Sequence, residues 1–564
     1  MTHREVLTAL SGLLLGMFVS MLASTVVGTS LPLIIADLEG DQGAFTWVVT
    51  ATLLATTVST PIWGKLADLF NRKLLLQIAL VIFVVASAAA GFSQDPGTLI
   101  TMRVFQGLGA GGLAALSQIV MADIISPRER GKYAGLFGAV MAIATIGGPL
   151  LGGVITDVLG WRWNFFVGLP IAVVALVLLQ RTLHLPKRPK TKVSIDYVGI
   201  MLISSGVSLI LLWVTFAGTD FEWISLPSLL MVGAAALLLV IAVIVELRVK
   251  EPVIPLGLFT DRTFTLAVIA SLSVGVAMFG TAVFLSQYMQ LARGATPTES
   301  GLLTIPMMGG VLIASTVIGA LVSRRGKWKG YMVTGGVLMI AGSFMLSRLH
   351  YDTDFWYVGI SMFVLGAGVG MLMQNLVLVV QNTTELKNMG VATSAVTFFR
   401  SLGGTIGVAV MGSILGTVVA ENLKHSIAGL DPEQQLEAAK VLGSGTIPRI
   451  SELPAFLRVI VESAYGIGSG AVFLAAVPLA IVTLIAVAFL PNIRLGTQNA
   501  IERAKAERQN AERELEDAED AAIDAAAASV ALAPVGLAHD PATGSVEAVD
   551  ERAGVSRVER ARSE

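Results

Sequence analysis

Residues 64–73 read Gly64-Lys65-Leu66-Ala67-Asp68-Leu69-Phe70-Asn71-Arg72-Lys73, a glycine, an acid and a basic pair wedged between two long apolar runs. One run ends at Trp63 and the next begins at Leu74. About twenty apolar residues suffice for a helix to cross the hydrocarbon core of a bilayer. A charged decapeptide between two such runs is a tight turn joining two membrane-crossing helices, and that reading decides the fold.

The composition agrees. Of the residues, 54% are apolar and 14% charged, where a soluble globular chain carries about 25% charged residues. The runs lack the two-residue alternation of a membrane barrel, so the spans are helical. There is no cysteine, which excludes disulfides, thiolate metal sites and cysteine nucleophiles. A net charge of −2 says little about partners, because the charge is segregated along the chain.

Fourteen spans are expected, at 7–32, 46–66, 74–93, 98–121, 133–155, 164–183, 197–216, 227–247, 264–290, 301–322, 330–347, 355–381, 389–418 and 466–490. The first is too long for a signal-peptide core and has no small-x-small cleavage site. The loops after even-numbered spans carry Arg72 and Lys73; Arg128, Arg130 and Lys132; Lys187, Arg188, Lys190 and Lys192; Arg248, Lys250 and Arg262; and Arg324, Arg325, Lys327 and Lys329. The opposite short loops hold only Arg162, Arg293 and Arg348. Basic loops stay on the cytoplasmic side, which places both termini there.

Two tracts fall outside the spans. Residues 421–464 form an external connection with helix-like stretches at 432–442 and 452–462; Leu453, Phe456, Leu457, Ile460 and Val461 give the second an apolar face. Residues 493–564 form a cytoplasmic tail, solvated and helical at its start and with the composition of disorder at its end. A faint repeat links Gly64, Leu66, Asp68 and Arg72 to Gly319, Leu321, Ser323 and Lys327, each set following the second helix of a six-helix half. The expected organisation is a half at 1–195, two inserted helices at 196–255 and a half at 256–492.

The fourth span carries Arg103, Gln106, Gly107, Gly109, Gly111 and Gly112. A charge inside a membrane helix faces protein or a wet cavity, and glycines admit a neighbouring backbone. The Gly107-x-Gly109-x-x-Gly112 spacing is no dinucleotide fingerprint, because no strand precedes it. The fifth span holds Gly138, then Gly147-Gly148-Pro149 and Gly152-Gly153, a bend with a flat packing face. With residues 126–132 (SPRERGK), 161–170 (WRWNFFVGLP) and 398–410 (FFRSLGGTIGVAV), these motifs resemble the fourteen-helix drug:proton antiporter branch of the major facilitator superfamily.

That resemblance implies an all-α integral membrane transporter, two halves rocking about a central site, and no enzyme activity. It makes Gly64, Asp68, Arg72, Lys73, Asp123 and Arg130 a cytoplasmic gate, with Asp68 facing the thirteenth span near Gly390. It makes Gly138, Gly148, Pro149, Gly152 and Gly153 an exporter motif at the interface between halves. The chain departs from the branch in its first span, where Leu22-Ala23-Ser24-Thr25 lacks the usual buried acid. This argues against a classical buried-carboxylate coupling site and against a preference for cations. The deep charges are Arg103 and Arg400, and the expected cavity residues are Gln106, Gln287, Gln374, Asn375 and Arg400.

His3, His184, His350, His425 and His539 lie in termini or loops, so no metal site is indicated, and no phosphate-cradling loop suggests ATP or another cofactor. The basic residues follow topology rather than a nucleic-acid surface. The expected function is a proton-coupled exporter of small amphipathic compounds, a monomer working in the lipid of a bacterial plasma membrane. The alternatives are a dedicated exporter of one endogenous metabolite, or a non-transporting receptor or scaffold. A transporter needs a polar-lined cavity between the halves; a scaffold has a filled apolar core.

Overall fold

The structure is a computed structural model that describes residues 3–39, 42–183, 196–218, 221–249, 251–442, 453–531, 538–539 and 546–547. Two compact units divide at residue 501. In the first, helices α1 (His3–Asp37), α2 (Gln42–Leu69), α3 (Arg72–Gly91), α4 (Pro96–Ile124), α5 (Pro127–Leu159), α6 (Trp163–Phe166) and α7 (Gly168–Thr182) are followed by α8 (Tyr197–Phe216) and α9 (Leu226–Glu246). Then come α10 (Arg262–Gln287), α11 (Pro297–Leu303), α12 (Ile305–Arg325), α13 (Lys329–Leu346), α14 (Phe355–Thr383), α15 (Met389–Ala428), α16 (Pro432–Leu442) and α17 (Ala455–Phe489). The second unit contains most of α18 (Ala500–Ala531) and an antiparallel pairing of Ala538–His539 with Val546–Glu547. The disorder expected at the chain end and the basic cluster Lys187–Lys192, like Lys250 and His184, lie outside the described residues.

Local sequence sets the helix boundaries. Asn71 caps α3 by accepting from the Lys73 N–H at 2.9 Å, and Asp95 caps α4 by accepting from the Thr98 N–H at 2.8 Å, with Pro96 at the first helical position. Gly160, at φ +91°, ends α5 where a side chain would be strained. The following Trp161 and Arg162 donate to Asp37 at 2.8 and 3.2 Å, pinning the end of α1. Those bonds, the indole's first, hold the Asp37 carboxyl below its ordinary range.

Thirteen helical segments among the described residues are long and apolar enough to cross a membrane, and α2 is not one of them. It has 28 residues, enough to span, but Thr46, Thr50, Thr52, Thr56, Thr57, Ser59 and Thr60 lower its hydropathy. The sixth and tenth expected spans are each interrupted, at Val167 and Thr304; Pro306, just beyond Thr304, supplies no backbone N–H for a continuous helix.

The connection expected at 421–464 is shorter. Helix α15 continues to Ala428, taking His425 into its last turn, and α17 starts at Ala455 behind Pro454. The apolar stretch there is thus the first turns of the last span, not a separate element. Its Leu457 and Val461 are buried with Ala438 of α16 against Leu423 and Ile427. Nothing in residues 455–465 breaks a helix, so the i, i+4 stripe simply runs on.

Two large apolar clusters organise the first unit. One joins α1, α2, α3, α4, α5 and α7; the other joins α10, α12, α13, α14, α15 and α17. The bundles meet along two seams, α2 against α15 and α5 against α12. Helices α8 and α9 pack on each other, and α8 reaches α2 and α15, where Val207 and Leu211 cover Phe398. Leu229, Leu230, Leu237 and Val240 of α9 stay exposed, as on a face turned to lipid.

Candidate functional site

Asp68 occupies the last turn of α2, at the end of the bundle that carries the basic loops. Its Oδ1 and Oδ2 accept the backbone N–H groups of Gly390 and Val391 at 2.8 and 2.9 Å. These are orphan donors in the first turn of α15, where the helix dipole favours an anion. Arg72 donates to Asp68 at 3.1 Å and also to Asp123, and all three side chains are buried. Asp123 therefore joins the Asp68 network through one shared guanidinium. The approach is tight: a Cβ on Gly64 would collide with Ser394, and one on Gly390 would stand 2.6 Å from Asp68 Oδ1.

Arg130 is bonded chiefly to α4 and α14. Its Nε and one Nη donate to the Ile125 and Ala122 carbonyls at 3.0 and 3.1 Å, closing the end of α4, and its other Nη bonds Gln381. Gln381 in turn donates to the Gln118 carbonyl and to Thr393, at 3.2 and 3.1 Å, tying α4 to α14 and α15. Lys73 turns outward instead and donates to the Gln180 carbonyl at 2.8 Å, so it belongs to the α3–α7 surface and not to this network. One residue apart on a helix is about 100° of rotation, which separates Lys73 from Arg72.

At the second seam, Arg128 at the start of α5 donates to the Ser323 and Arg324 carbonyls at the end of α12, at 3.2 and 3.4 Å. Ser323 is the repeat counterpart of Asp68. Both junctions join the end of a second helix to the start of a fifth, by a carboxylate on N–H groups in one and a guanidinium on carbonyls in the other.

The α5 glycines divide by what they face. A Cβ on Gly148 would collide with Thr25, and one on Gly152 would stand 2.7 Å from the Val26 carbonyl of α1. Gly138 faces Ser315 and Leu312 of α12. Gly153 and Gly147 have open space, so the five-residue motif is not one packing surface. Pro149 lies within the continuous helix α5.

Between the bundles lies a cavity of about 660 Å³. Apolar walls come from Leu53, Phe83, Leu113, Phe137, Met278 and Phe279; the polar lining includes Ser20, Ser24, Thr50, Thr56, Thr57, Arg103, Gln106, Gln118, Gln374, Thr397 and Arg400. Arg103 donates to Gln106 at 2.6 Å and to the Val48 carbonyl at 3.4 Å; Gln106 donates to Ser87 at 2.8 Å. Arg400 donates to the Met373 carbonyl at 3.4 Å.

Two expected cavity residues are elsewhere. Asn375 sits one position round α14 from Gln374, bonds the Met371 carbonyl at 2.6 Å and borders a small void beside Arg130. Gln287 ends α10, where the chain changes to a wider turn at Tyr288–Ala292, and does not line the cavity. Sequence reading passed over the α2 threonines and Gln118. Their signal was present: Thr50 and Thr57, seven apart, share a face of an otherwise apolar helix.

Residues 13–408 match the family model of the Major Facilitator Superfamily. The chain is 35% identical over 438 residues to the multidrug transporter protein MdtP of Bacillus subtilis (strain 168), covering 77% of this chain and 80% of that one. It is 30% identical over 432 residues to multidrug resistance protein 3 of the same organism, covering 77% and 84%. In fold it is similar to the proton:xylose symporter XylE, with a TM-score of 0.57 at 14% identity over 89% of this chain and all of that one (100%). The chain belongs to the Major Facilitator Superfamily, as a multi-pass membrane transporter and not an enzyme.

Proposed function

We propose that the protein is a secondary active exporter that moves small amphipathic compounds out of a bacterial cell across the plasma membrane, driven by inward proton flow. The cavity carries this reading: a space of about 660 Å³ with hydroxyl, amide and guanidinium groups on apolar walls suits a drug-sized amphiphile. A scaffold would have no use for it. The likeness to the multidrug transporter protein MdtP and to multidrug resistance protein 3 supports efflux over import. A dedicated exporter of one endogenous metabolite would use the same machinery.

In this reading residues 1–195 and 256–492 are the moving halves, and residues 196–255 ride on the α2–α15 seam. The basic end is cytoplasmic, with both termini. The Asp68–Gly390 and Arg130–Gln381 contacts close that end, so the conformation described is shut towards the cytoplasm. Opening it exchanges those contacts for water as the halves rock, and the protein does so as a monomer. Accumulation of a chemically diverse panel in a drug-sensitive strain tests the function. The protein should lower accumulation of part of the panel, and a proton uncoupler should abolish the difference. Equal accumulation of every compound with and without the protein refutes export.

A further inference from the structure

Resting on the efflux reading, the cavity also specifies the charge of its cargo. Its lining includes two guanidinium groups, Arg103 and Arg400, and among the described residues no carboxylate. Both side chains are deep: Arg103 is 4% and Arg400 7% exposed. The nearby acids are engaged elsewhere, Asp68 on the first turn of α15 and Asp123 on Arg72.

Nor do neutral partners saturate the pair. A guanidinium offers five N–H donors. Arg400 makes one long bond to the Met373 carbonyl, and Arg103 makes one short bond to Gln106 and one long bond to the Val48 carbonyl. Charges at this depth are expensive unless compensated, and the donors these bonds leave over are offered to whatever fills the cavity, water or an anionic cargo that displaces it. Phe83, Phe137, Met278, Phe279 and Val283 surround the rest of the space.

We propose that the cavity binds amphipathic organic anions, with the acidic head on Arg400 or Arg103 and the apolar body against the phenyl and methionine side chains. Permanent cations are rejected, because their entry adds a third positive charge to the same low-dielectric space.

The test uses the full-length protein in phosphatidylcholine nanodiscs, with empty nanodiscs subtracted. Three probes are compared: 8-anilino-1-naphthalenesulfonate, the uncharged N-phenyl-1-naphthylamine that shares its rings, and the cation tetraphenylphosphonium. The sulfonate should bind at least about tenfold tighter than its uncharged relative. Arg400→Gln or Arg103→Gln should remove most of that advantage, and Arg400→Lys should keep much of it. Unchanged binding of the uncharged probe reports that each variant's cavity is intact. Tighter binding of tetraphenylphosphonium than of the sulfonate overturns the charge assignment while leaving export standing. So does full sulfonate affinity in both glutamine variants. Failure of all three probes to bind overturns the cavity as a site for amphipathic organic anions, while export itself stands or falls on the accumulation assay.

Discussion

Asp68 accepts at both carboxylate oxygens from the first turn of α15 in the other bundle, and in the proposed transport cycle this is the contact that breaks and re-forms. An asparagine there keeps one acceptor and sets an amide N–H against a backbone N–H. Hydrogen bonds to a charged group contribute about 1.5–3 kcal/mol, so Asp68→Asn should shift the closed-gate population roughly tenfold to a hundredfold. The variant should be made and fold normally, yet export at less than about a tenth of the wild-type rate. Wild-type efflux from a well-expressed Asp68→Asn protein contradicts the gate. The pattern of residues 64–73 announced this acid, because a carboxylate in a charged turn between apolar runs has few uses. Gln381 was not announced: nothing in a single sequence says which amide of a long apolar helix will meet Arg130 across an interface.

Helix α5 shows how far an element can be read. Its glycines forecast close packing, but a glycine string does not say which members face a neighbour. Gly152 opposes the Val26 carbonyl, whereas a Cβ on Gly153 meets open space. Gly152→Ala should therefore cost about 1–3 kcal/mol and lower the melting temperature in detergent, while Gly153→Ala should leave it equal or higher, since alanine favours helix. Equal destabilisation by both would show that the motif acts as one surface. The same limit applies to α2. Thr50, Thr52, Thr56 and Thr57 depress its hydropathy and line the cavity, so a helix that composition alone does not mark as a membrane span contributes as many polar groups to the site as α15. The ends of α15 and α17 were misjudged because charge marked a loop where the helix runs beyond the apolar stretch.

The first unit is built on two large apolar clusters joined by two related seams, α2 on α15 and α5 on α12. The faint sequence repeat pairs Asp68 with Ser323 and says nothing of what either meets; in the structure Arg128 answers Ser323 as α15 answers Asp68. Orientation belongs to this scale too. The chain has no cysteine, so single cysteines report cleanly. A membrane-impermeant maleimide should label Lys424→Cys in intact cells and Lys327→Cys only after lysis; the reverse pattern would invert the topology. Transport by the purified protein alone tests the central claim most directly. Proteoliposomes holding only this chain, with an acidic lumen imposed, should concentrate an exported compound inside through the inward-oriented fraction, and should stop when the gradient is collapsed. Uptake that is indifferent to the gradient, or no greater than in protein-free liposomes, contradicts a proton-driven exporter.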